Sequence, residues 1–400
     1  MTQRVLLHVG APKTGTSFVQ DILFTHRKAL RERGILYPAD RDDDHFLAAL
    51  DLMELPWGGL EHQAVGAWNR LAAQVRVWPG TSIISHEILG TASRVHVARA
   101  LESLGADTEI HVVYSARDLV RQIPAEWQEN VKHRRTKTYA QFLDDLRDPE
   151  RSAQVAQWFW GVQEIPDVLD RWGECIPRVR VHLVTVPPPG SSRTLLWERF
   201  AGLFGIDPDE FTPSEKSNTS LGVPESAMIR RLNLRLNDVL PNHHYRALVR
   251  EMVVHRNLSR RPGSQRLSLP DDAYRWASDL GRSWISELAL RGYDVVGDLD
   301  DLVAPDPLPF VDPDQGDEEL VAEAALDALA IMTQEAAKLR DVETELHGVI
   351  ADLTAQLERF RSARTYKAKE RLVAMAETNL AARAGLTVYR RVRGRNSRST

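Results

Sequence analysis

Four short apolar runs, separated by longer stretches with helical apolar spacing, set the pattern of this chain. The runs are residues 4–10, 82–85, 109–116 and 178–186. Their β-branched and aromatic content predicts buried strands. Between them, apolar side chains recur at helical spacing, as at Phe18, Ile22 and Leu30. Strands that alternate with helices of this length predict an α/β fold, a parallel central sheet flanked by helices.

The carboxyl-terminal quarter has a different pattern. Residues 306–316 are rich in Pro and Asp and predict a linker. Residues 317–360 carry a heptad-like apolar seam, which predicts a helical extension that packs on a second copy or on its own chain. Residues 361–400 are rich in arginine and predict a basic tail, partly disordered. We therefore expect an α/β domain over 1–305, followed by these three segments.

Charge separates the extension from the domain. The whole chain has a net charge of -5, but residues 306–350 hold twelve acidic and two basic side chains, and residues 359–400 hold the reverse. The basic tail could touch a membrane surface peripherally. We expect no nucleic-acid partner of the tail, and the basic cluster Lys132–Lys137 in the domain could instead attract an anionic donor or acceptor.

The expected cellular compartment follows from the absence of paired cysteines, a signal peptide and a long apolar run in the sequence. Cys175 is the one cysteine, so no intrachain disulfide can form. The first residues lack the apolar run and cleavage site of a signal peptide, and no apolar run approaches twenty residues. We expect a cytoplasmic protein.

The first strand runs directly into a glycine loop, Gly10–Ser17, with the sequence GAPKTGTS. Strand, glycine loop and helix in this order predict an anion site made of backbone N–H groups at a helix N-terminus. The two glycines match the spacing of the nucleoside-triphosphate loop, but Thr16 stands where that loop has lysine. The lysine, Lys13, lies inside the loop instead. This placement favours a shorter 5′-phosphoryl anhydride over a triphosphate.

The run PKTGTS after a first strand resembles the 5′-phosphosulfate loop of sulfotransferases that use PAPS (3′-phosphoadenosine 5′-phosphosulfate) and release PAP. The resemblance covers roughly residues 4–302 and implies the P-loop-like fold of that family. It implies that Lys13 stabilises the leaving phosphate and that no metal is required. The residues it assigns to the 5′-phosphosulfate are Pro12, Lys13, Thr14, Gly15, Thr16 and Ser17.

The same resemblance implies a 3′-phosphate site at the end of the third predicted strand. Arg117 matches the arginine of that site, and its planar fork suits a phosphate. The family's serine eight residues later is here Ala125, so Ser115, Gln122 or Gln128 would have to replace it. The segment 217–222 resembles a loop that closes over the nucleotide, with Asn218 and Ser220 as candidates.

A proton must leave the acceptor, and His86 and Glu87 directly follow the second predicted strand. Imidazole titrates near neutral pH, and a carboxylate can serve if burial raises its pKa. We favour Glu87 slightly and keep His86 as an alternative. No metal-ligand spacing occurs.

The acceptor is open to a hydroxyl or amine of a carbohydrate, a glycolipid or a secondary metabolite. Two further functions stay open, namely a P-loop small-molecule kinase and a non-catalytic assembly protein. Four tryptophans at helical positions favour core packing, although some could stack on an acceptor; they are Trp127, Trp158, Trp160 and Trp172.

Overall fold

The computed structural model describes residues 3–192, 194–211, 220–362, 364–378 and 384–385. A six-stranded sheet forms its centre. The strands are β1 (Arg4–His8), β2 (Ile35–Leu36), β3 (Thr81–Ser85), β4 (Glu109–Ala116), β5 (Val181–Thr185) and β6 (Asp294–Val296). Their order is β2-β3-β1-β4-β5-β6, and every neighbouring pair is parallel.

Helices connect the strands and follow the sheet. They are α1 (Thr16–Thr25), α2 (Arg27–Glu32), α3 (Asp44–Met53), α4 (Glu61–Ala64), α5 (Ala67–Arg76), α6 (Arg94–Leu104), α7 (Leu119–Lys132), α8 (Tyr139–Arg147), α9 (Gln154–Gln163), α10 (Ile165–Gly173), α11 (Leu195–Phe204), α12 (Val223–Leu236), α13 (Asn242–His244), α14 (Asp271–Arg291), α15 (Glu318–Ser362) and α16 (Arg364–Thr378). A π-helix spans Tyr245–His255, and 3₁₀ turns span Glu87–Thr91, Arg178–Arg180, Leu258–Arg260 and Leu299–Leu302.

The predicted fold class is confirmed, because helices cover both faces of the parallel sheet. Leu6 and Val113 are fully buried on one face, in a cluster that includes Val19 of α1 and Phe200 of α11. Tyr114 points to the other face, where its hydroxyl donates to the Val162 carbonyl of α9 at 2.7 Å. Burial on two faces explains why these strands read as continuous apolar runs.

Several predicted boundaries were wrong. The strand predicted from residue 178 begins at Val181, after a 3₁₀ turn, and β2 and β6 were not predicted at all. Two and three residues are too few to show alternation, and the residues of β6 are half-buried or exposed at the sheet edge. Helical apolar spacing over residues 18–33, 59–78 and 154–173 predicts one helix in each range, but each is divided in two, the last at Glu164.

The strand order indicates where on the sheet a ligand would bind. The chain goes from β1 to β2 and β3 on one side, then crosses to β4 on the other. The carboxyl end of β1 is therefore the point where the order reverses, which is where open parallel sheets bind ligands.

The chain forms two compact units, Met1–Ala328 and Leu329–Thr400. The first unit includes the start of α15, where Val321 and Ala324 are buried and Arg261 pairs with Glu323 and Asp327. The divisions expected at 305, 316 and 360 stay predictions, as does self-association through 317–360. In the second unit the heptad side chains Leu339, Leu346 and Leu353 are exposed. Most of the basic tail lies outside the described residues.

In the part of the chain that the structure describes, no helix is both long and apolar enough to cross a bilayer.

Candidate functional site

The glycine loop leaves β1 at the centre of the sheet and enters α1. Gly15 has φ +89° and precedes the first helical residue, and a Cβ there would lie 2.5 Å from Leu196 Cδ2. Gly10 has φ +136°, and a Cβ there would lie 3.2 Å from the Glu87 carbonyl oxygen. Both positions require glycine, since an L side chain would meet backbone strain and close neighbours together.

Buried polar side chains hold the underside of the loop. The Thr14 hydroxyl donates to the Ala11 carbonyl at 2.6 Å and contacts the Ser115 hydroxyl. Ser115 is fully buried, and its hydroxyl donates to the Gly10 carbonyl at 2.8 Å. Ser115, considered above as a substitute in the 3′-phosphate site, therefore sits beneath the loop and braces it.

The Pro12 carbonyl is held from the side by two amides. Gln122 Nε2 donates to it at 2.7 Å and Gln163 Nε2 at 3.2 Å. These two amides fix the position of the Pro12 carbonyl.

Four backbone N–H groups of the loop have no assigned partner within the described ranges. Among the described residues, no hydrogen-bond acceptor contacts the backbone N–H of Lys13, Gly15, Thr16 or Ser17. Thr16 is buried, whereas Ser17 is exposed. Four amides at the start of α1 that have no partner in the described part of the chain form a ready site for an anion.

The loop lysine is paired in this structure. Lys13 Nζ lies 2.9 Å from Glu129 Oε2 of α7. The same carboxylate oxygen lies 3.5 Å from Lys132 Nζ, and Glu129 Oε1 lies 3.2 Å from His133 Nε2. Burial opposes ionisation of Glu129, but His133 and the two lysines together lower its pKa well below the usual range. Glu129 is thus a charged anchor that holds the Lys13 side chain over α7.

Arg117 directly follows β4, the strand next to β1. Its Nε donates to Gln122 Oε1 at 2.9 Å and its Nη2 to the Arg121 carbonyl at 3.1 Å. Burial lowers the pKa of Arg117 to about 10, so the guanidinium stays charged at neutral pH. The Gln122 side-chain amide also donates to the Pro12 carbonyl, so it links Arg117 to the glycine loop.

Glu126 is a site residue that the sequence did not indicate. It is 4% exposed, and within the described part of the chain its Oε2 has no hydrogen-bond partner. Burial, with the neighbouring Glu129 charge, raises the pKa of Glu126 to about 7, although Lys13 and Arg117 oppose the shift. Its place on the helix that carries Gln122 and Glu129 was the one available signal.

His86 and Glu87 lie at the end of β3, on the other side of the loop. His86 Nδ1 accepts the Ile88 N–H at 3.3 Å, and Gln20 Nε2 donates to Glu87 Oε2 at 3.0 Å. Burial lowers the pKa of His86, so its ring is neutral at pH 7. Burial alone would raise the pKa of Glu87, but His86 and the Gln20 hydrogen bond outweigh it and lower the pKa.

The remaining predicted residues are spread more widely. Ala125 and Gln128 lie on α7, and Gln128 Nε2 donates to the Leu221 carbonyl at 2.6 Å, away from Arg117. Ser220 is exposed. Asn218 lies outside the described residues. The structure thus brings the loop, Arg117 and Gln122 together. Residues 217–219 of the later segment lie outside the described residues.

No cluster of three or more metal-ligating side chains occurs among the described residues. The groups that are present, free amides, an ammonium and a guanidinium, suit an anion. The arrangement can bind a phosphoryl or sulfuryl group at the loop, and it offers three titratable side chains nearby, His86, Glu87 and Glu126.

Comparison with known proteins yields little at the level of sequence. No family model matches the chain, and no curated protein matches it. Among solved structures it is similar to a sulfotransferase from Alicyclobacillus acidocaldarius, with a TM-score of 0.38 and 17% identity, over 60% of this chain and 98% of that one.

Proposed function

We propose that this protein is a sulfotransferase that moves a sulfuryl group from PAPS to a hydroxyl group. The observation that carries the proposal is the loop Gly10–Ser17 at the carboxyl end of β1, with its lysine inside the loop and the N–H groups of Lys13, Gly15, Thr16 and Ser17 without a partner among the described residues. The resemblance of PKTGTS to the 5′-phosphosulfate loop supports the same donor.

The donor would be held by two sets of cations and amides. Lys13 and the N–H groups of Gly15, Thr16 and Ser17 suit the 5′-phosphosulfate. Arg117 suits the 3′-phosphate, since the Gln122 and Arg121 contacts occupy its Nε and Nη2 and leave Nη1 for a ligand within the described residues. Gln122 contacts both Arg117 and Pro12, so its side chain would lie between the 3′-phosphate and the 5′-phosphosulfate of the donor.

In the proposed transfer, the acceptor oxygen forms a bond to sulfur, and the bond from sulfur to the bridging oxygen of the donor breaks. The electron pair of that bond leaves with PAP, and the acceptor proton passes to a base. Lys13 and the loop amides stabilise the charge that develops on the leaving phosphate. For this, Lys13 must exchange part of its contact with Glu129 for the donor.

Two groups at the end of β3 can take the proton. Glu87 is ionised at neutral pH because its pKa is lowered, and His86 is neutral because its pKa is lowered too. Each is therefore in its proton-accepting form. Gln20 holds the Glu87 carboxylate, which favours Glu87 as the base with an aligned oxygen.

Calorimetry with PAP and, separately, with ATP and magnesium tests the donor. We expect metal-free binding of PAP that weakens at least tenfold in Lys13→Ala. Lys28→Ala, an exposed lysine on α2, is the matched control. Binding of ATP with magnesium and none of PAP would instead identify a kinase.

A further inference from the structure

Three half-buried aromatic side chains lie beside the candidate site and are not part of the core. Phe46 comes from α3, Trp57 from the segment after α3, and Trp158 from α9. Their ring centroids are 5.6 Å apart for Phe46 and Trp57, and 5.7 Å for Trp57 and Trp158. We call Phe46, Trp57 and Trp158 the aromatic row.

The other three tryptophans at helical positions are buried in the core, unlike Trp158. Trp127, Trp160 and Trp172 are at most 4% exposed, as expected for core residues. Their indole N–H groups donate to the carbonyls of Lys137, Leu146 and Leu89. Trp158 instead is only half-buried.

Both ends of the aromatic row reach residues of the candidate site. At one end the Phe46 ring lies 5.2 Å from the ring of His86, the residue next to Glu87. At the other end Trp158 neighbours Glu126, and its indole lowers the pKa of that carboxyl group slightly against the effect of burial. The row therefore spans the distance between the end of β3 and α7, the two sides of the phosphate loop.

Glu126 supplies a second and independent sign of a ligand here. Its Oε2 is buried without a partner among the described residues, and an unmade hydrogen bond of this kind costs stability. Such a cost is commonly retained where a bound molecule completes the hydrogen bond. The molecule that completes it must be within reach of Trp158 as well.

We propose that the aromatic row and Glu126 form the acceptor subsite, and that the acceptor is a carbohydrate. Half-buried indole rings pack against the C–H face of a sugar ring, and a carboxyl group binds sugar hydroxyls. A flat phenol would use the rings, but its single hydroxyl is the group that accepts the sulfuryl group, so no second hydroxyl would be left for Glu126. The inference rests on the proposed sulfotransferase function, because it assigns the second substrate of the same site.

The test uses the full-length protein and a panel of neutral mono- and disaccharides, with 2-naphthol as the flat aromatic probe. Sugar binding is followed by saturation-transfer NMR, turnover by release of PAP from PAPS, and donor affinity by calorimetry with PAP. We expect at least one sugar to bind and to be sulfated. Trp57→Ala and Trp158→Ala should each raise its KM about tenfold, with PAP affinity unchanged.

Controls separate binding from folding. Trp78→Ala removes a half-buried indole that precedes β3 at the opposite edge of the sheet and should leave the sugar KM unchanged. If an alanine variant fails to fold, Trp158→Phe keeps an aromatic ring at this position and removes the indole N–H. Glu126→Gln keeps the shape of the carboxyl group and should also raise KM for the sugar.

The two proposals fail differently. Loss of PAP binding in the wild type would overturn the sulfotransferase, while sugar binding that depends on Trp57 and Trp158 would still support the subsite. Normal PAP binding with no bound sugar, with sulfation of 2-naphthol alone, or with unchanged KM in all variants would overturn the carbohydrate subsite.

Discussion

The two edges of the sheet use similar side chains in opposite ways. At the amino edge, a hydrogen-bonded chain runs from Glu109 through His111 and His182 to Asp294, with successive contacts of 2.9, 2.7 and 2.6 Å. Arg180 adds a contact of 3.3 Å to Glu109. At the carboxyl edge, histidines and carboxylates also gather, but the loop amides and Glu126 Oε2 have no partner among the described residues.

The difference separates structural from functional polar groups. A half-buried chain of donors and acceptors that satisfies itself stabilises the strands it joins, here β4, β5 and β6. Groups left unsatisfied at a strand edge keep their binding capacity for a ligand. The following variants test that division, from the largest expected effect to the smallest.

Lys13→Ala should have the largest effect, a fall in turnover of roughly 10³-fold, because it removes the one ammonium in the phosphate loop. Turnover is measured as PAP release at saturating acceptor. Thermal stability should change little, since Lys13 is partly exposed and its pairing with Glu129 is screened. Near-normal turnover would refute the role of the loop.

Glu87→Gln or His86→Asn should lower turnover by roughly 10²-fold, because one of these side chains accepts the acceptor proton. Rates are compared with donor saturating, so that changes in donor affinity do not contribute. We expect the larger loss in Glu87→Gln. If both variants keep wild-type turnover, the base lies elsewhere, and Glu126 is then the next group to test.

Glu126→Gln should change how stability depends on pH. Since the pKa of Glu126 is raised to about 7 in the folded protein, its ionisation destabilises the fold as pH rises through 7. Below the unfolded pKa the carboxyl group is neutral in both states and this cost is absent. Between pH 5 and pH 8 the wild type should lose on the order of 2–3 kcal/mol relative to the variant.

Urea unfolding of both proteins at the two pH values measures this difference. Equal pH dependence in the two proteins would show that Glu126 is ionised normally in the fold.

His111→Ala should have the smallest effect, and only on stability. It breaks the amino-edge chain and should cost about 1–2 kcal/mol in unfolding free energy. Turnover per folded molecule should equal that of the wild type, because no residue of the phosphate loop is touched. A loss of turnover with normal stability would contradict the division between the two edges.

Much of the fold could be predicted because its signals are local. The four central strands are buried on both faces and therefore read as apolar runs, and the loop Gly10–Ser17 is a contiguous motif. The short edge strands β2 and β6 could not be predicted, since they form only by adding to neighbours already in place. The division at His26 was missed because no Gly or Pro stands there to stop a helix pattern, whereas Gly66 and Pro166 mark the start of the second helix at the other two divisions.

The site was predictable in part for the same reason. Residues just after a strand, such as Arg117, His86 and Glu87, can be placed at the carboxyl edge from strand positions alone. Ser115 could not be assigned, because whether a strand side chain faces the loop or the core depends on the packing around it. Glu126 and Trp158 were not predicted as neighbours, since they lie on different helices thirty-two residues apart.

The sequence by itself determined the parallel α/β architecture, the glycine loop and the candidate site residues at the strand ends, because each depends on residues that are neighbours in the sequence. Only the tertiary structure decided which polar groups are satisfied. It pairs Lys13 with Glu129, joins Arg117 to the loop through Gln122, and leaves Glu126 buried beside the aromatic row. Hydrogen-bond satisfaction depends on groups far apart in the chain meeting within about 3 Å, a condition that local pattern does not contain.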